Sequence, residues 1–301
     1  MAVAVSHSRA EGYLTCRRKD YYGYTLELQR VSESIAFSHG SAVHSMLEVF
    51  YRTMLEAGDT PAQQIDAWDN AVLNVEKHFA EMKAEGYEDP DKRAPLALIF
   101  EKYLENEPYV RNGWTILAVE AEFNLAIEDD LEYPFVVDLI VQDDRGAMVV
   151  VDHKSAYDFF NEEDARLMPQ IPKYIGALRA LGYKVAYGQY NLLRTRPDTK
   201  VGRPLNEWHR NFDVKPTAQR VKTTFTEQVG VAREIAMRSF LPVEQIEETA
   251  YRVANKMICG YCQFADLCSE ELRGGNVKLM LSTEYKQKEK RDKIAVTEVE
   301  D

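Results

Sequence analysis

The stretch Phe135-Val136-Val137-Asp138-Leu139-Ile140-Val141-Gln142-Asp143-Asp144-Arg145-Gly146-Ala147-Met148-Val149-Val150-Val151-Asp152-His153-Lys154 decides how the chain is read. Two apolar, β-branched runs flank the turn residues Asp143-Asp144-Arg145-Gly146, which predicts a β-hairpin. The first strand is expected over 133–142. The second, over 147–151, is apolar throughout and is expected to be central and buried. Asp138 stands inside an apolar strand. Asp152 and Lys154 end the next strand, where the period of two puts them on one face. Pairing of the two strands brings Asp138 and Asp152 close together. Two carboxylates in an apolar setting repel each other and are costly unless a cation neutralises them. Mg²⁺ or Mn²⁺, which prefer carboxylate oxygens and water, can do so. Lys154 could then hold a scissile phosphate or an attacking water, which is the chemistry of phosphodiester hydrolysis. A structural ion pair between Asp138 and Lys154 accounts for these residues equally well, because short patterns of this kind arise by chance.

Working outward, 114–127 alternates like a strand and 185–193 reads as another. Helices are expected over 8–30, 40–57, 170–181, 217–240 and 243–258, with two or three more within 62–106. Residues 196–215 read as a loop or an irregular strand pair. The charged tail from about Glu284 is expected to be disordered. The layout is α/β: a helical N-terminal part, a mixed sheet flanked by helices, then C-terminal helices.

The chain has 301 residues, 45% of them apolar, enough for a sizeable core. No apolar run approaches the roughly 18 residues of a membrane span, and the N-terminus shows no secretory pattern. The expected compartment is the cytoplasm, where thiols stay reduced and the four cysteines suggest a metal site rather than disulfides. The net charge of −12 looks wrong for a nucleic-acid binder, yet it is unevenly placed. Residues 173–222 hold 11 Lys and Arg against 3 Asp and Glu. A locally basic face on an acidic protein and an ordinary solvated surface both fit that count. No phosphate-binding loop of the G-x-x-x-x-G-K-[ST] type is present, so any strand unwinding needs a partner.

Further residues carry a resemblance. His44 lies in Phe37-Ser38-His39-Gly40-Ser41-Ala42-Val43-His44, and Gln170 and Tyr174 are four apart on one helix face. Together with Val137-Asp138 and Val151-Asp152-His153-Lys154, these occur in the order and approximate spacing of RecB-like nucleases. That group includes the nuclease domains of RecB and AddB, the standalone CRISPR-adaptation nucleases and their phage relatives. Val119-Glu120-Ala121-Glu122-Phe123 is similar to the family's Glu-containing strand before the hairpin. The resemblance covers roughly residues 8–270. It implies a PD-(D/E)xK core with His44, Asp138 and Asp152 as metal ligands and the His153 main-chain carbonyl as a further one. It also implies Lys154 as catalytic lysine and Gln170 and Tyr174 as supports for substrate binding. The chain departs from the family in having Val136 where many relatives have Gly, and His153 and Ser155 in place of Tyr and Thr. Pro169 and Pro172 bracket Gln170 and leave its placement open.

Cys259, Cys262 and Cys268 cluster near the C-terminus and Cys16 lies far upstream. Spacing alone favours zinc. The resemblance implies a [4Fe–4S] cluster instead, because one cysteine before the core and three after it is the arrangement of the iron–sulfur members. Such a cluster would close a loop of about 240 residues. The expected organisation is a helical region over 1–110, a nuclease core over 111–240, an iron–sulfur segment over 241–283 and a tail over 284–301. The expected activity is metal-dependent exonucleolytic hydrolysis of DNA, at single-stranded ends, in recombination, repair or CRISPR adaptation. A helicase or recombination protein is the expected partner. The alternative is a non-catalytic DNA-binding scaffold that retains the fold and the cluster.

Overall fold

The computed structural model describes residues 2–31, 35–84, 93–196 and 207–288. In chain order its elements begin with β1 (Val3–Ala4), α1 (His7–Thr15), α2 (Arg17–Asp20), β2 (Leu28–Arg30), α3 (Ile35–Glu56), α4 (Pro61–Asp66), α5 (Trp68–Ala84) and α6 (Leu96–Leu104). Then come β3 (Thr115–Glu128), β4 (Leu131–Gln142), β5 (Met148–Ala156), α7 (Glu162–Leu167), α8 (Gln170–Ala180), β6 (Val185–Arg194) and β7 (His209–Val214). The chain finishes with α9 (Ala218–Ser239), α10 (Val243–Thr249), α11 (Lys256–Cys259), α12 (Ala265–Leu272), α13 (Val277–Glu284) and β8 (Tyr285–Gln287). The fold is mixed α/β with a central mixed sheet flanked by helices. No described helix is long and apolar enough to cross a membrane.

Two compact units are built from interleaved stretches of sequence. Among the described residues, the larger draws on Ile35–Phe123 and Val136–Phe225. Its hairpin forms as the turn residues predict. The Asp143 carboxylate accepts the Arg145 and Ala147 N–H groups at 2.9 Å each, and Gly146 supplies the positive φ of 78° that the turn needs. β5 lies antiparallel to β4 and parallel to β6, β7 returns antiparallel to β6, and β3 pairs with β4. β5 is therefore central, and Val149, Val150 and Val151 are fully buried. It also runs further than its apolar residues suggest, to Ala156. β6 offers a partner to each added residue, with Asp152 opposite Tyr190, His153 opposite Asn191 and Lys154 opposite Leu192. Main-chain pairing is indifferent to side-chain polarity, so the strand outlasts its hydrophobic pattern.

One face of this sheet carries Leu139, Val141, Val149, Val151 and Leu193. It packs against Met46, Phe50 and Tyr51 of α3 and Phe100 of α6, and Phe50 meets Trp68 and Phe100 edge-on at 5.1 and 5.6 Å. Gln64 of α4 is fully buried because its amide pairs with Ile116 main chain in both directions, at 3.1 and 3.3 Å. That pairing satisfies part of a strand edge that would otherwise be open. On the opposite face α8 approaches β6 at Gly188, where any Cβ would lie 2.4 Å from Ile171 Cγ2.

The smaller unit draws, among the described residues, on 2–31, Asn124–Phe135 and 226–288. The single helix expected over 8–30 is instead broken. Cys16 is extended at φ −163° and ψ 112° between α1 and α2, a π-helical turn covers Tyr21–Thr25, and the chain ends in β2. The helix expected over 243–258 also splits, because the Tyr251 carbonyl accepts the Arg18 N–H at 3.3 Å and Asn255 caps a new helix through the Met257 N–H. The charged tail is ordered at its start. Tyr285–Gln287 pair antiparallel with Leu28–Arg30, and the Tyr285 ring stacks on Phe264 at 5.8 Å. A single buried aromatic outweighs the surrounding charges there. In the larger unit, 196–215, read as a loop or an irregular strand pair, contributes one strand, β7, which pairs with β6. Residues 85–92 of the expected helical region, 197–206 of the expected loop and 289–301 of the expected tail lie outside the described residues.

Gly188→Ala is expected to lower stability by about 1–3 kcal/mol by forcing α8 off β6. A lowered thermal midpoint measures this, and an unchanged one would show that the packing yields freely.

Candidate active site

The paired register of β4 and β5 ends at Leu139 opposite Val151. Past that point the His153 N–H donates not to β4 main chain but to Asp138 Oδ2, at 2.7 Å. The Asp138 carboxylate is thereby held beside β5. The Lys154 ammonium lies 2.6 Å from Asp152 Oδ2 and donates to Gln170 Oε1 at 2.8 Å. Gln170 in turn donates to the Tyr174 hydroxyl at 2.8 Å. The two prolines do not displace Gln170: Pro169 caps α8 and Pro172 sits in its first turn, where a missing N–H is harmless. Lysine, glutamine and tyrosine thus form one hydrogen-bonded row from β5 onto α8.

α3 brings His44 to the same place, with Nδ1 3.6 Å from Asp138 Oδ2. β3 brings Glu120. Among the described residues, one set of three His, Cys, Asp or Glu side chains gathers its donor atoms within 4.8 Å of one another, and it is His44, Glu120 and Asp138. Asp152 stands outside that set. Its Oδ2 is buried and lacks a hydrogen bond, its contact with Lys154 being an ion pair without hydrogen-bond alignment. The structure therefore unites His44, Asp138, Asp152, Lys154, Gln170 and Tyr174 in one unit. Glu120, to which sequence reading assigned no role, joins them. The available signal for Glu120 was the likeness of Val119-Glu120-Ala121-Glu122-Phe123 to the Glu-containing strand of RecB-like nucleases. The left-handed backbone of Glu120, at φ +46°, was not legible. Such strain in a non-glycine residue persists only where the surroundings enforce it and is common at functional sites.

The electrostatics suit a cation. Burial pushes Asp138 well above the usual carboxylate range, and the charges of Asp152 and Glu120 push it the same way, against Lys154 and the His153 N–H. Glu120 is raised to about 7 by burial and by Glu48, with Asp152 and Glu122 adding to it. Burial lowers His44, leaving a neutral imidazole able to donate a lone pair. One imidazole nitrogen with crowded carboxylate oxygens is a donor set that fits Mg²⁺ or Mn²⁺.

The His153 ring takes no part in this set. It turns to the opposite face, stacked on Tyr51 at 5.9 Å, with Nδ1 2.7 Å from Asn191 Nδ2. Asn191 also reaches Tyr103 and His209, and Tyr51 donates to Glu107 at 2.8 Å. This buried polar layer braces β5 from behind.

The four cysteines all belong to the smaller unit. Cys262 and Cys268 pack beside Tyr22, Phe264 and Tyr285. Burial raises both thiols, and each of these two also feels the charge of Cys16. Cys259 is exposed, its Sγ 3.8 Å from the Val253 carbonyl. No three of the four sulfurs lie within 4.8 Å of one another.

No curated protein matches the chain. Among solved structures, the crystal structure of SSO0001 is 10% identical over 74% of this chain and 84% of that one, with a TM-score of 0.34, too low to inform the reading. A family model described as the PD-(D/E)XK nuclease superfamily matches residues 4–269. With the carboxylates and lysine of β4 and β5 lying within that match, the chain belongs to the PD-(D/E)XK nuclease superfamily.

Proposed function

We propose that this nuclease is a Mg²⁺- or Mn²⁺-dependent DNA exonuclease that acts on single-stranded ends. The observation that carries the reading is the His44, Glu120 and Asp138 donor set beside a lysine held by Asp152 and Gln170. His44, Asp138 and Asp152 serve as metal ligands, joined by Glu120 and by the His153 main-chain carbonyl. A divalent cation bound there supplies Lewis acidity and a water of lowered pKa. Lys154 stabilises the negative charge that develops on the phosphate, and its contacts to Asp152 and Gln170 keep the ammonium in place. Tyr174 orients Gln170 and supports substrate binding. Preference for strand ends, cytoplasmic location and a role in recombination, repair or CRISPR adaptation rest on likeness to RecB-like nucleases. Unwinding falls to a separate motor protein.

The cysteines serve a [4Fe–4S] cluster on this reading. The arrangement of one cysteine before the core and three after it, as in the iron–sulfur RecB-like nucleases, supports this, as does the proximity of Cys16 to Cys262 and Cys268.

End-labelled single-stranded DNA should be degraded with Mg²⁺ or Mn²⁺, and Lys154→Ala should slow cleavage about 100-fold or more. No cleavage by cluster-loaded wild type with either metal would favour a non-catalytic DNA-binding scaffold. Without metal, folded Glu120 keeps its proton up to about pH 7, whereas the unfolded side chain loses it in the ordinary carboxylate range. The folded state thus binds the extra proton between those limits, and stability falls as pH rises through about 7. Glu120→Gln should flatten this slope, and Mn²⁺ should do the same for wild type. Thermal unfolding at about pH 5.5 and about pH 8 reads both effects, and equal slopes for wild type and variant would remove Glu120 from the account. Anaerobically purified protein should be brown and contain iron and sulfide, and Cys262→Ala should lose the colour and much of the soluble yield. Colourless wild type with stoichiometric zinc would overturn the cluster.

A further inference from the structure

Beyond Lys154 the chain leaves β5 through Tyr157-Asp158-Phe159-Phe160. Arg194 lies opposite Ala156 across the parallel β5–β6 pair, and Arg210 lies opposite Leu192 across β6–β7. Cross-strand partners share a face, so both arginines stand on the face that carries Asp152 and Lys154. Ala156 is two residues past Lys154, about 7 Å along the strand. Here cations and aromatic rings interleave. The Arg194 guanidinium is 4.2 Å from the Phe159 ring centre and Arg210 is 5.1 Å from it. Arg93 covers Tyr157 at 5.1 Å, and Arg196 pairs with Asp158 at 3.1 Å.

Among the described residues these arginines face two carboxylates. Arg210 is paired through two nitrogens with Glu207, and Arg196 with Asp158, whereas Arg194 Nε is buried without a hydrogen bond, 4.0 Å from Asp158. Burial lowers the Arg194 guanidinium below its ordinary value; Asp158 and Glu207 oppose that shift, and Arg196 and Arg210 add to it. Tyr157 is 44% exposed, leaving ring surface open to a ligand. Guanidinium groups suit phosphates, and aromatic faces suit bases that are not already stacked in a duplex.

We propose that Tyr157, Phe159, Arg93, Arg194, Arg196 and Arg210 form a platform for an unpaired nucleic-acid strand, beside Lys154 on the same sheet face. The bases stack on Tyr157 and the arginines hold the backbone, which would lead a phosphate toward the lysine. The placement relative to hydrolysis rests on the nuclease reading, whereas the binding does not.

The test is fluorescence anisotropy of a labelled oligothymidylate and of a hairpin duplex, with the full chain in EDTA so that no cleavage intervenes. Wild type should bind the single strand more tightly than the duplex. Tyr157→Ala should weaken single-strand binding about ten-fold, whereas Tyr157→Phe, which keeps the ring, should restore it. Arg196→Ala should reduce the salt dependence of binding by about 0.7 in log–log slope. Variants that bind as wild type does, or a wild type that prefers the duplex, would overturn the platform. A wild type that shows the expected binding but cleaves nothing with Mg²⁺ or Mn²⁺ would keep the platform and remove the nuclease reading.

Discussion

The hydrogen bond from the His153 amide to the Asp138 carboxylate governs the geometry of the site. β4 and β5 stop pairing at Leu139 and Val151, while β5 continues against β6 alone. An amide left unpaired in that interior would be costly, and a carboxylate is a strong acceptor for it. Satisfying the amide draws Asp138 onto β5, next to the strand that presents Asp152 and Lys154. His44 and Glu120 then approach Asp138 from α3 and β3. The polar layer of Tyr51, Asn191 and Tyr103 behind His153 keeps that peptide in place.

The same bond concentrates negative charge in a buried space. Asp138 and Glu120 are both displaced upward, chiefly by burial, and each also feels Asp152. A protein of net charge −12 with a carboxylate cluster at its site repels a polyanion unless cations intervene. Two sources of positive charge answer this. One is a divalent ion suited to the donor set. The other is the set of arginines past the end of β5, on the sheet face of Lys154. Net charge is thus a poor guide to the substrate, and local placement is the better one.

The smaller unit solves a different problem, joining distant parts of the sequence. β2 pairs with β8, and Glu271 accepts from Arg18, Tyr22 and Arg252 together. Tyr13 and Arg17 both reach Glu234, at 2.7 and 2.5 Å. These contacts bring Cys16 near Cys262 and Cys268 through protein interactions alone. A cluster would be added to a scaffold already joined, restricting the unfolded chain further.

Much of this was legible from local chemistry. The alternation of 133–142, the turn at Asp143–Gly146 and the unbroken apolar run of 147–151 identify the hairpin, because strand period and turn geometry are properties of neighbouring residues. Asp138, Asp152 and Lys154 stood out for the same reason, being charges where a strand calls for apolar side chains. The break at Cys16, the burial of Tyr285 and the extension of β5 to Ala156 depend on partners supplied from far along the chain. Glu120 is the clearest case. The likeness of its strand to that of RecB-like nucleases hinted at a site, but its left-handed backbone and its approach to His44 and Asp138 arise only when β3, β4 and α3 pack together. The arginine and aromatic platform likewise joins residues from 93 to 210 that no local period links. By itself the sequence determined which segments become strands and which acids are out of place, since those depend on neighbours one to four residues away. Only the tertiary structure decided which donors meet, because that depends on sheet register and helix packing between distant segments.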